Sequence, residues 1–153
     1  MTIFEALRQS HELQRTLASH LLETSGDTPE RHSLFSTLKD ELAVHALAEE
    51  RHFYIPLMQL DPGVELSRHA IAEHHAIDEL VEALEATEAS SPSWLPLARR
   101  LTEKVEHHLR EEEQRFFQMA GKLLTDAQKS DLAAGYVSEY AAAKAGLTPS
   151  AAA

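Results

Sequence analysis

Residues 35–60 read FSTLKDELAVHALAEERHFYIPLMQL, and residues 98–123 read ARRLTEKVEHHLREEEQRFFQMAGKL. In the first stretch Phe35, Leu38, Leu42, His45, Glu49, Phe53, Pro56 and Leu60 recur at steps of three and four. That spacing lines one face of an α-helix, and an apolar face of this kind points inward. An offset of 63 residues carries these positions onto Ala98, Leu101, Val105, His108, Glu112, Phe116, Met119 and Leu123. The match is loosest where small Ala98 stands for Phe35 and Met119 for Pro56. The segments in front obey the same offset: His11 falls on His74, Leu17 on Leu80, Ala18 on Val81 and Leu21 on Leu84. The chain therefore reads as two helical hairpins related by an internal duplication. Two such hairpins pack as an up-down-up-down four-helix bundle, so the expected fold is all-α.

The breaks between periodic segments have local causes. Ser25-Gly26-Asp27-Thr28-Pro29 ends one helix, supplies a cap and puts Pro at a first-turn position. Asp61-Pro62-Gly63 is turn chemistry, Ser90-Ser91-Pro92-Ser93 is a polar break, and Thr125 with Gln128 has capping-box spacing. Helices are predicted at about 2–24, 29–60, 63–87, 93–123 and 126–144, with Pro56 bending or ending the second. Residues 1–124 would form the bundle, 125–145 a fifth helix packed on it, and 146–153 a flexible tail.

Composition narrows the function. A chain of 153 residues suits one domain, and 14 basic against 25 acidic residues leave a net charge of -11. That balance argues against nucleic acid or an anionic membrane as partner. No apolar run reaches about 18 residues, so no membrane span is expected. The start, MTIFEALRQSHE, carries early charges and no apolar signal core, which points to a cytoplasmic protein. The absence of cysteine excludes disulfides, thiolate ligands and thiol nucleophiles. No nucleophile elbow, phosphate loop or dinucleotide fingerprint is present. Histidine is the anomaly, with ten copies.

The duplication selects among them. His11 pairs with His74, His45 with His108, and Glu49 with Glu112. Each HxxxE pair puts its two side chains one turn apart on the inward stripe. Two buried carboxylates without partners are costly, and two cations between them would remove that cost. Carboxylates can bridge two metals while neutral imidazoles bind terminally. Mixed nitrogen and oxygen donors suit Fe, Mn or Zn, and the lack of sulfur argues against Cu(I). Six protein ligands for two metals leave positions open to a small ligand. The expected metal ligands are His11, His45, Glu49, His74, His108 and Glu112.

At these residues the sequence resembles the hemerythrin-like family, the HHE cation-binding domains. The matching segments are SHELQRTL around His11, HALAEERHFYIP from His45, AEHHAIDEL around His74 and HLREEEQRFF from His108, spanning about residues 3–123. The resemblance implies that the same six residues ligate two iron ions in an oxo-bridged centre, ahead of manganese or zinc. Oxygen-carrying hemerythrins have a further histidine spaced HxxxH on the third helix and an aspartate on the last. This chain has Ala70 and Asp78 on either side of His74, and Glu112. Its ligand set is thus more similar to bacterial HHE proteins and iron-centre-repair proteins. The repair proteins commonly carry cysteines in an added N-terminal segment, and this chain contains none.

The expected role is a non-haem di-iron protein that binds or reacts with dioxygen, nitric oxide or peroxide, in a pocket with Phe53, Phe116 and Phe117. Sensing or storage without turnover, and iron-centre repair, are the alternatives. Among the other histidines, His20 and His32 read as solvated, His75 as sharing an acidic face, His107 as peripheral, and His69 as pointing away. His52 is either an outer donor or exposed. Leu132, Tyr136 and Tyr140 of the fifth helix form a stripe that either covers the bundle or lies over the opening to the metals.

Overall fold

A computed structural model describes residues 1–147. The expected flexible tail lies, from residue 148 onward, outside the described residues. The described chain is helical, with no strand among its elements. Helix α1 (Ile3–Leu22) opens on a capping box between Thr2 and Glu5. Thr28 caps α2 (Pro29–Glu49), with Pro29 in its first turn, and Gly26, at φ 70°, turns the chain between them. A π-helical turn, Glu50–Tyr54, joins α2 to the short α3 (Ile55–Met58), and a 3-10 turn over Asp61–Gly63 leads into α4 (Val64–Glu85). Helix α5 (Trp94–Glu111) passes through a second π-turn, Glu112–Phe116, into α6 (Phe117–Leu123). Helix α7 (Asp126–Ala145) begins at the expected capping box of Thr125 and Gln128.

Helices α1 and α2 pack as one hairpin and α4 and α5 as the other; α1 also meets α5, and α7 lies against α1 and α2. The buried apolar residues fall into two clusters. One holds Leu7, Phe53, Tyr54, Leu57, Phe116, Phe117 and Ala120; the other holds Leu21, Leu38, Leu42, Ile77, Leu84, Leu101 and Val105. Residues that lie between these clusters along each helix form a buried polar layer, His11, His45, Glu49, His74, His108 and Glu112.

The two π-turns change the inward stripe read from the sequence. Each adds a residue to one turn, directly after Glu49 in one hairpin and at Glu112 in the other. Beyond them the buried residues are Phe53, Tyr54 and Leu57, and Phe116, Phe117 and Ala120, whereas Pro56, Leu60, Met119 and Leu123 are only partly buried. A regular 3.6-residue count runs out of phase by one position there. Pro56 is not needed to produce the turn, because the second π-turn forms with Met119 at the matching position. π-turns concentrate at functional sites, and both of these abut the buried glutamates.

Candidate metal centre

The polar layer brings all six expected ligands together. His45 and His108 stand one turn before Glu49 and Glu112, while His11 and His74 enter from α1 and α4. His45 Nε2 and His74 Nε2 each lie 3.1 Å from Glu49 Oε1. His11 Nε2 lies 3.2 Å from Glu112 Oε1, and His108 Nε2 lies 3.6 Å from Glu112 Oε2. Within the layer two groups have ligand atoms within 4.8 Å of one another, His11-His45-Glu49-Glu112 and Glu49-His74-His108, and Glu49 belongs to both; a third group, His69-Glu73-Glu111, lies toward the surface. Donors about 3 Å apart match neighbours around one cation at bonds of about 2.0–2.2 Å.

The donor set passes a test of fit. Seven buried side-chain polar atoms have no hydrogen-bond partner among the described residues, and five belong to these ligands: His11 Nε2, His45 Nε2, His108 Nε2, Glu49 Oε2 and Glu112 Oε1. Native interiors leave few such atoms, and clustering in one layer is what a cation site requires.

Every histidine is oriented from behind through Nδ1. His11 Nδ1 meets Glu113 Oε2 at 2.9 Å, and His74 Nδ1 meets Glu50 Oε2 at 3.1 Å. Glu50 and Glu113 are themselves partners in the duplication, each next to a buried glutamate on its π-turn. The other two histidines are held differently. His108 Nδ1 meets Glu73 Oε1 at 3.2 Å. The counterpart of Glu73 is Ser10, too short to reach His45. Tyr136 of α7 fills the gap, with its hydroxyl 2.5 Å from Ser10 Oγ and 2.8 Å from His45 Nδ1. With Nδ1–H donating outward, each Nε2 is turned toward the centre, where it can bind a cation once it carries no proton.

Tyr54 adds a proton on the inner side. Its hydroxyl donates to Glu49 Oε1 at 2.8 Å and to Glu112 Oε2. Burial, with the Glu112 and Glu49 charges, pushes this hydroxyl well above the tyrosine range, so it stays protonated. Burial and the adjacent Glu49 charge also raise the Glu112 carboxyl to about 7. Burial opposes charge on His11 and His74, but the carboxylates outweigh it, Glu112 and Glu113 raising His11 to about 9 and Glu49 and Glu50 raising His74 to about 10. Burial lowers His45 in spite of Glu49. The metal-free layer thus balances its carboxylates with protons.

The remaining histidines lie outside the layer. His75 and His107 are exposed beside Glu79 and Glu111, and His32 is exposed beside Asp27. His69 points outward, toward Glu73 and Glu111. His52 is neither an outer donor to the centre nor free in solvent. It lies 3.4 Å from Glu139 of α7, and α7 passes so close that a Cβ at Gly135 would meet His52 Nδ1 at 2.5 Å.

Sequence reasoning missed Glu50, Glu73, Glu113 and Tyr54. The offset already paired Glu50 with Glu113, and that was the available signal. Nothing local marked Tyr54, because the π-turn that aims it inward leaves no trace in a 3.6-residue count.

Similarity to known proteins agrees with the fold. A crystal structure of a hemerythrin HHE cation binding domain-containing protein from Mycobacterium kansasii superposes with a TM-score of 0.86 at 24% identity, covering 95% of this chain and 88% of that one. A DNA nickase from Nostoc sp. (strain PCC 7120 / SAG 25.82 / UTEX 2576) is 27% identical over 144 residues, 94% of this chain and 39% of the nickase. The chain thus spans well under half of that relative. The family model of the hemerythrin HHE cation binding domain matches residues 2–120. With that match over most of its length, the chain belongs to the hemerythrin HHE cation binding domain family.

Proposed function

We propose that the chain is a non-haem di-iron protein that binds or turns over small oxygen or nitrogen species such as dioxygen, nitric oxide or peroxide. His11 and His45 would hold one iron, His74 and His108 the other, and Glu49 and Glu112 would be shared between them. The observation that carries this reading is the concentration of unpartnered buried donor atoms in the duplicated layer. Iron there would supply reversible one-electron chemistry and open positions for a small ligand. Manganese and zinc share the donor preference, and elemental analysis separates them.

The chain's own residues have definable roles. Glu113, Tyr136, Glu50 and Glu73 fix the four imidazoles through Nδ1. Tyr54 holds a proton against both shared carboxylates. Phe53, Phe116 and Phe117, all buried, keep bulk water from one side. Small ligands fit such a closed interior and large substrates do not. A net charge of -11 disfavours DNA as the substrate, so the nickase activity of the Nostoc relative is not carried over. The test is titration of the iron-loaded chain with azide, nitric oxide and peroxide. A change in charge-transfer absorption with at least one supports the reading, and no response to any of the three overturns it. Steady consumption of peroxide or nitric oxide assigns turnover, while binding alone assigns sensing or storage.

A further inference from the structure

Gln14 follows His11 by three residues on α1 and is 2% exposed. Its carboxamide Nε2 has no partner among the described residues. The side chain borders a cavity of about 10 Å³, lined also by Leu42, His45, Ala46, His74, Ile77 and His108, with exposed Asp78 at its edge. That space is on the order of one water-sized group. The offset of 63 maps Gln14 onto Ile77, which lines the same cavity. The duplication is therefore broken at this place, with a hydrogen-bond donor on one wall and an aliphatic side chain on the other.

The neighbouring polar groups cannot donate into this space. The Nδ1 atoms of His45, His74 and His108 are engaged with Tyr136, Glu50 and Glu73. Their Nε2 atoms would be metal-bound. The Tyr54 hydroxyl is engaged by Glu49 and Glu112. A buried amide left without a partner is costly, and the cost is offset once an acceptor occupies the cavity. We infer that Gln14 is the hydrogen-bond donor that recognises the small ligand of this centre, a two- or three-atom species that places one lone-pair acceptor atom in this cavity, and that it sets which side of the duplicated site that ligand takes. This rests on the di-iron reading above.

Azide is the probe, added to the iron-loaded full chain. Gln14→Met keeps length and bulk but removes the donor. Iron per chain is expected to stay at the parent level, while the azide dissociation constant rises roughly ten- to a hundredfold, the effect of losing a hydrogen bond to a charged group. The azide stretching frequency of the parent is expected to shift between H2O and D2O, and the variant to lose that shift. Full iron content with unchanged azide affinity overturns the role of Gln14 and leaves the di-iron reading standing. A parent chain that takes up no iron overturns both. Should Gln14→Met fail to load iron, the parent decides alone, since an azide stretch indifferent to D2O overturns the proposal.

Discussion

Tyr136→Phe removes one hydroxyl that does two things: it joins α7 to Ser10 and it accepts from His45 Nδ1. The site is 2% exposed, so water cannot replace the lost oxygen. A buried donor left without its acceptor costs about 1–3 kcal/mol. If His45 binds metal, the loss falls on metal affinity as well, and outer partners of metal-bound histidines are worth about 10- to 100-fold, or about 1.4–2.7 kcal/mol. Tyr140→Phe is the matched control. Its hydroxyl donates to Glu41 at 2.6 Å and lies 3.0 Å from Lys144, on the same helix but away from any proposed ligand. Both variants are expected to lower the midpoint of urea unfolding. Only Tyr136→Phe is expected to lose metal to a competing chelator at about 10- to 100-fold lower chelator concentration. Equal metal retention in the two variants would refute a role for α7 in holding His45 for metal. Truncation after Leu124 would then be expected to cost stability alone.

Further outcomes follow from the same geometry. Glu112→Ala should lose metal and Glu111→Ala should not, since Glu111 faces His69 and His107 at the surface; His74→Ala and His75→Ala should divide the same way, and equal losses within either pair would contradict the helical phase. In the metal-free chain His11 and His74 sit at about 9 and about 10, so both carry protons at pH 7. Metal uptake should therefore expel about two protons and weaken as pH falls, and calorimetry in buffers of different ionisation enthalpy that shows none would contradict it. Phe53, fully buried with its ring centroid 5.0 Å from that of Phe116 in a tilted contact, should cost about 3–5 kcal/mol on substitution by alanine; a change below about 1 kcal/mol in urea unfolding would contradict its place in the core.

The duplication made most of the architecture legible. Repeat and helical phase together separated His108 from His107 and Glu112 from Glu111, because a one-residue slip on a helix turns a side chain by about 100°. Capping chemistry placed the starts of α2 and α7, at Pro29 and Asp126. Legibility ended at the π-turns. An inserted residue changes the phase of everything after it, which is why Pro56 and Leu60 read as core while Leu57 takes that place. The other gap is the asymmetry between halves. Glu73 and Ser10 are matched by the offset, yet one reaches its histidine and the other works through Tyr136 from outside the repeat. That contact depends on how α7 lies across α1 and α2, which no periodicity encodes.

In the proposed two-iron centre, the duplicated layer of four histidines and two glutamates would hold both metals. Elemental analysis of metal per chain after anaerobic iron reconstitution and desalting, followed by the absorption spectrum in air, tests this directly. Close to two irons per chain with an oxo-bridged diferric spectrum is the predicted result. One iron per chain, or none, would contradict it.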